Sequence, residues 1–259
     1  MILKNVIFSE NKMKIIVADN YIHLSEIAAN IMADVIRDKP DAVLGLATGS
    51  SPIGAYKKLV DVYSNAHLSF SKVRTYNLDE YIGLDASHVQ SYHYFMRSKL
   101  FDLVDLKAEN THVPSGVGDD LTKNCREYDE MLSSCPRDIQ LLGIGSNGHI
   151  GFNEPGTPFD SRTHIVSLTE KTKKDNSRLF AADEKVPDRA ITMGIKDIMS
   201  AKKILLIAYG ANKADAIYNT VCGKVTENCP ASVLQKHKDV TLVLDTEAAS
   251  KLDKSIIEK

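Results

Sequence analysis

Apolar positions along the chain fall into two kinds of run. Six are short and nearly continuous: KIIVA at 14–18, AVLGLA at 42–47, VRTYN at 73–77, IQLLGI at 139–144, KILLIA at 203–208 and VTLVL at 240–244. Most lack the alternation of a half-exposed strand, which predicts strands buried on both faces, as in a parallel sheet covered by helices. Between them, over 22–36, 53–63, 91–101, 121–132 and 213–221, apolar residues recur three and four apart, the spacing of one helix face. Strand and helix alternate, so the predicted architecture is an open doubly wound α/β fold with a mostly parallel, Rossmann-like sheet flanked by helices. No internal repeat, low-complexity tract or Pro/Ser-rich linker marks a second unit, and residues 13–259 read as a single domain. Residues 1–12 read as an N-terminal extension ahead of the cleaner strand that Met13 opens. The charged stretch 170–189 reads as the mobile part of a lid spanning roughly 168–190.

Composition narrows the function without choosing it. With 259 residues, 43% hydrophobic and 25% charged, the chain is long enough for a substantial core. A formal net charge of −2 gives no basic excess to concentrate nucleic acid or an anionic membrane, and neither is expected as a partner. Cys125, Cys135, Cys222 and Cys229 have no C-x-x-C spacing, so reduced thiols are expected rather than a zinc or redox pair. No apolar run reaches the roughly 20 residues of a membrane span. The first residues lack the apolar core of a secretory signal, and a cytoplasmic protein is expected.

In doubly wound sheets ligands bind beyond the carboxyl ends of the strands, which directs attention to three loops: TGSSP at 48–52, LDEYIGL at 78–84 and GSNGHIGFNEPG at 145–156. In the first, Thr48, Gly49, Ser50 and Ser51 run into Pro52, a residue suited to a first helical position. Backbone N–H groups and hydroxyls there would hold a phosphate at a helix N-terminus, the alternative being a capped helix with no ligand. The absence of a Walker lysine favours a monophosphate over a nucleoside triphosphate. In the second, Asp79 and Glu80 are either solvated surface or a general base, and strand alternation lets only one of them face a ligand.

The third loop contains GIGSNG, a match to the G-x-G-x-x-G turn of dinucleotide sites. Gly151, Asn153, Pro155 and Gly156 follow it and oppose the long helix that such a site needs, so no nicotinamide cofactor is expected. The loop instead presents His149 and Glu154 on the same rim, where a carboxylate beside the imidazole suits it to move a proton to or from a sugar oxygen. The eight histidines show no H-E-x-x-H spacing, the carboxylates no EF-hand order, and no G-x-S-x-G elbow occurs; neither a metal nor a covalent acyl step is expected.

Taken together, LGLATGSSP, NLDEYIGL, SYHYFM, LLGIGSNGHIGFNEPGTPF, SRTH, NSRLF and AITMGI, in that order over about residues 13–250, resemble the glucosamine-6-phosphate deaminases. The GHIGFNEP segment sets the chain apart from the related 6-phosphogluconolactonases. The resemblance implies cofactor-independent conversion of glucosamine 6-phosphate and water to fructose 6-phosphate and ammonia, with an amino-sugar phosphate as the small-molecule partner. It implies Asp79 as the base that moves the C2 proton, His149 as the ring-opening group, and Glu154 and Asn147 as its supports. Many relatives carry Asp where this chain has Asn147. The phosphate would meet Thr48, Gly49, Ser50, Ser51, Arg178 and Lys213. Relatives activated by N-acetylglucosamine 6-phosphate carry basic residues just after SRT, where this chain has His164 and Val166, and weak or absent activation is expected. A lactonase or isomerase on the same scaffold, and a sugar-phosphate sensor without turnover, are the competing readings; a homo-oligomer is left open.

Overall fold

A computed structural model describes residues 6–8, 13–66, 68–177, 180 and 184–253. In chain order its elements are β1 (Val6–Phe8), β2 (Lys14–Ala18), α1 (Tyr21–Asp38), β3 (Val43–Leu46), α2 (Ile53–Ala66), β4 (Arg74–Asn77), β5 (Asp79–Tyr81), α3 (Tyr92–Lys99) and β6 (Thr111–His112). They continue with α4 (Leu121–Ser134), β7 (Ile139–Leu142), β8 (His164–Ser167), α5 (Glu170–Ser177), β9 (Arg189–Thr192), α6 (Ile195–Ile198), β10 (Ile204–Ala208), α7 (Ala214–Val221) and β11 (Val240–Asp245). Each of the six continuous apolar runs overlaps one strand of the main sheet.

That sheet has the order β1-β2-β11-β10-β7-β3-β4-β6. Seven strands run parallel, and β1 pairs antiparallel at one edge with Val6 opposite Ile16. Residues 6–8 thus pair with the sheet from within the stretch set aside as an extension. Every residue of β3, β7 and β10 is buried, which is why their sequences do not alternate. Helices start where side chains replace missing backbone partners: Asn20 accepts from the His23 amide at α1, Ser91 from Tyr94 at α3 and Asp120 from Lys123 at α4. All four cysteines are unbridged. Among the described residues no helix is long and apolar enough to cross a membrane.

One feature departs from the sequence reading. The acidic segment is not a loop: the chain leaves β4 through Leu78, whose amide bonds to Leu46 O at 3.1 Å, and continues directly into β5. There Asp79, Glu80 and Tyr81 pair antiparallel with Thr192, Ile191 and Ala190 of β9, which also pairs with β8, in a separate three-stranded sheet. Pairing between segments more than a hundred residues apart outweighs the poor strand propensity of an acidic tripeptide. Within the charged stretch read as part of a lid, residues 170–177 form α5.

The topology fixes where a ligand can sit. From β3 the chain builds outward through β4 and β6, then returns to place β7 on the other side of β3. The carboxyl ends of β3 and β7 therefore flank a switch point, and the loops beginning at Ala47 and Gly143 diverge around a crevice there.

Candidate active site

The loop after β3 forms the floor of the crevice. Gly49 has φ of +87°, a backbone conformation that a side chain would strain, and this turn curls residues 48–51 over the start of α2. The positive end of the α2 dipole lies at this turn. Tyr21, at the start of α1, pins the loop from outside: its hydroxyl lies 3.1 Å from Ser50 O and 3.2 Å from Ser51 O, and accepts from Gly54 N at 2.9 Å. Its ring packs on Tyr209, 4.6 Å between centroids, and the Tyr209 hydroxyl reaches Ser50 Oγ at 3.4 Å. Beyond Tyr209, the Asp245 carboxylate accepts from Gly210 N at 3.0 Å and anchors the turn that leads to Lys213.

Asp79 and Glu80 are both buried, 5% and 3% exposed, which removes the solvated-surface reading. Alternation separates their tasks. Glu80 turns to the N-terminus of α3 and accepts from the amides of Tyr81, Tyr92 and His93 at 2.8–2.9 Å. Asp79 faces the crevice. Burial, then the neighbouring Glu80 charge, push its carboxyl up to about 8, opposed by the Thr48 side chain.

The loop after β7 contains no helix before β8, so GIGSNG is not followed by the element a dinucleotide site requires. It folds tightly on itself, with Gly145 N donating to His149 O at 2.9 Å and Gly148 N to Gly145 O at 3.0 Å. Glu154 is buried behind the imidazole. Its Oε2 accepts from Asn147 Nδ2 at 2.6 Å and lies 3.6 Å from His149 Nδ1, too long for a hydrogen bond but within ion-pair reach. Its Oε1 accepts from the Thr172 hydroxyl of α5. Burial opposes ionisation, yet the adjacent imidazole and the Thr172 and Asn147 hydrogen bonds outweigh it and hold the carboxyl at about 2.

Residues 48–51, Asp79, His149 and Lys213 thus open onto one crevice, with Asn147 and Glu154 behind the imidazole. Arg178 lies outside the described residues. Among the described residues no group of three or more His, Cys, Asp or Glu side chains is placed to hold a metal ion.

The family of glucosamine-6-phosphate isomerases/6-phosphogluconolactonase matches the chain over residues 19–243. This chain belongs to that family. Within it, a glucosamine-6-phosphate deaminase of Clostridium botulinum (strain Kyoto / Type A2) is 50% identical over 242 residues, covering 93% of this chain and 99% of the relative. One from Thermoanaerobacter sp. (strain X514) is 52% identical over 239 residues, covering 92% and 94%. The solved structure of a monomeric glucosamine-6-phosphate deaminase superposes with a TM-score of 0.89 at 48% identity, covering 92% of this chain and 99% of that one. A 6-phosphogluconolactonase from Trypanosoma brucei, at 20% identity and a TM-score of 0.77, shares the fold.

Three contributors to this family site went unread in the sequence: Tyr21, Tyr209 and Thr172. Tyr21 and Tyr209 follow β2 and β10 closely and so lie on the same rim, a signal available in principle. Thr172 carried no such signal, because only the packing of α5 brings its hydroxyl to Glu154.

Proposed function

We propose that this chain is a glucosamine-6-phosphate deaminase, converting glucosamine 6-phosphate and water to fructose 6-phosphate and ammonia in amino-sugar catabolism. The observation that carries the reading is the convergence of a buried carboxylate, Asp79, and an imidazole, His149, on one crevice floored by an anion-binding turn, in a chain about half identical to enzymes of that name.

The sugar phosphate docks with its phosphate on residues 48–51 at the start of α2, opposite Lys213. Arg178, from the NSRLF motif, is assigned there on the resemblance alone. His149 carries a proton between the ring oxygen and the anomeric hydroxyl and opens the ring, with Glu154 and Asn147 fixing the imidazole and balancing its charge. Asp79, as carboxylate, takes the proton from C2 of the open-chain amino aldose and returns it to C1, while the C1 oxygen gains a proton and the C2 nitrogen loses one. This leaves a ketimine at C2; water adds there, the C–N bond breaks, and ammonia departs as the C2 ketone forms. Every electron pair moves within sugar and water, so the reaction needs no redox cofactor. The protein acts in the cytoplasm, without a nucleic-acid or membrane partner, and residues 13–259 form its catalytic domain.

The test is ammonia release from glucosamine 6-phosphate by the purified chain, coupled to glutamate dehydrogenase, with fructose 6-phosphate measured in parallel. Equal yields of both products are expected. Binding without ammonia would favour the sensor, and hydrolysis of 6-phosphogluconolactone in its place would favour the lactonase.

A further inference from the structure

Glu154 is 8% exposed, and a carboxylate so enclosed needs partners on both oxygens. The two oxygens are served from opposite sides. Asn147 and His149, on the same loop as Glu154, attend Oε2. Oε1 is attended by α5, from a different part of the fold, through Thr172.

Thr169 and Thr172 divide their work. Thr169 caps α5: its hydroxyl accepts from Thr172 N at 3.2 Å, and its carbonyl takes the helical bond from Lys173 N at 2.9 Å. Thr172 is not needed for that cap. Its hydroxyl accepts from the Thr169 hydroxyl at 3.0 Å and donates its own hydrogen bond to Glu154, a directed chain that ends on the carboxylate. Thr172 is 4% exposed and reaches Glu154 from the wall of the crevice.

The separation between Glu154 and His149 makes this contact matter. At 3.6 Å the pair is not hydrogen-bonded, so the imidazole does not itself fix the carboxylate. A carboxyl group turns about its last bond, and two fixed oxygens define its plane where one does not. We infer that Thr172 is a positioning residue for ring opening: by holding Glu154 Oε1 it sets the plane of the carboxylate and keeps Oε2 aimed at His149. The start of α5 adds its dipole in the same direction. The inference rests on the deaminase reading for its chemistry, and on Glu154 geometry alone for its structural part.

Thr172→Val removes the hydroxyl while keeping shape, and Thr172→Ser restores it. On glucosamine 6-phosphate, Thr172→Val is expected to lower kcat about tenfold with KM within about twofold, and Thr172→Ser to retain kcat within about threefold. If Thr172→Val does not fold, Thr172→Ala, which adds no bulk, carries the same expectation. The nitrogen resonances of the His149 ring, followed by NMR, are expected to move in the variant lacking the hydroxyl and to return in Thr172→Ser. Unchanged kcat, equal losses in Thr172→Val and Thr172→Ser, or a rise in KM alone would each overturn the inference. Lack of ammonia from the unaltered chain would remove the deaminase reading; the His149 resonances, which need no turnover, then judge the role of Thr172, and their invariance overturns it.

Discussion

The imidazole of His149 lies directly over the α-carbon of Gly145, where a methyl group would come within 2.3 Å of Cε1 and 2.4 Å of Nδ1. The middle glycine of the apparent dinucleotide pattern is therefore the seat of the ring assigned to ring opening. Gly145→Ala has to push the imidazole off that seat, away from its present relation to Glu154 and the crevice. It is expected to lower kcat by about a hundredfold, the scale of misplaced acid–base catalysis, while phosphate binding persists. Steady-state kinetics and inhibition by inorganic phosphate check this; near-normal kcat would show that the ring position is not critical.

Asp79 links activity to stability in opposite directions. Its carboxyl, raised to about 8, binds a proton in the folded chain over a range where the unfolded chain, at the ordinary carboxyl value of 3.8, has lost it. Stability from this group is complete below the unfolded value and is lost as pH rises through about 8. The catalytic base is the form that appears over the same upper range, so kcat/KM is expected to rise with pH toward a plateau above about 8. Asp79→Asn removes both effects. It should cut turnover by about a thousandfold and raise Tm at pH 8.5–9 by roughly 5 °C, with little change near pH 5. Thermal unfolding at the two pH values decides: an equal Tm difference at both would exclude burial of this charge as the cause.

What the sequence revealed and what it concealed divide along the range of the interactions. β3, β7 and β10 were legible because burial on both faces imposes a continuous apolar run, and the ends of β3, β4 and β7 placed residues 48–51, Asp79 and His149 just beyond strands. The failure of GIGSNG to start a helix was legible as well, in Gly151, Asn153 and Pro155. The strand at Asp79 was not. Nothing local reveals that Thr192 will pair with it, and an adjacent Asp and Glu ordinarily signal surface. The sequence EKTKKDNS of α5 likewise reads as solvated charge, yet Thr172 is turned inward among those lysines.

Tyr21 joins two elements that the sequence keeps apart, the start of α1 and the turn before α2. Tyr21→Phe retains the ring against Tyr209 and removes only the hydroxyl shared by Ser50 O, Ser51 O and Gly54 N. The loop then loses its outer tie at the place proposed to hold phosphate. The cost is about 1 kcal/mol, so KM for glucosamine 6-phosphate should rise about fivefold while kcat stays within about twofold. Inhibition by inorganic phosphate should weaken in parallel. A fall in kcat at constant KM would place the role of Tyr21 elsewhere.

The segment after SRT bears on regulation. Holding an effector phosphate calls for cations or several donors free to meet it. Val166 instead packs against the aromatic cluster of Tyr81, Tyr92 and Phe152, and His164 directs Nδ1 to Arg162 O at 2.8 Å. Arg162, the permanent cation of the motif, is already engaged, with Nε 2.9 Å from Asp197 Oδ1 and a terminal nitrogen donating to Ser133 Oγ at 2.9 Å. Recruiting it would strand the buried Asp197 carboxylate, at a cost comparable to the gain from a phosphate contact. The rate is therefore expected to be hyperbolic in glucosamine 6-phosphate, with half-saturation moved by less than about twofold by N-acetylglucosamine 6-phosphate, a shift below about 0.5 kcal/mol. Initial rates with and without that compound measure it directly; a sigmoidal curve that the compound renders hyperbolic would mean that other residues form an effector site.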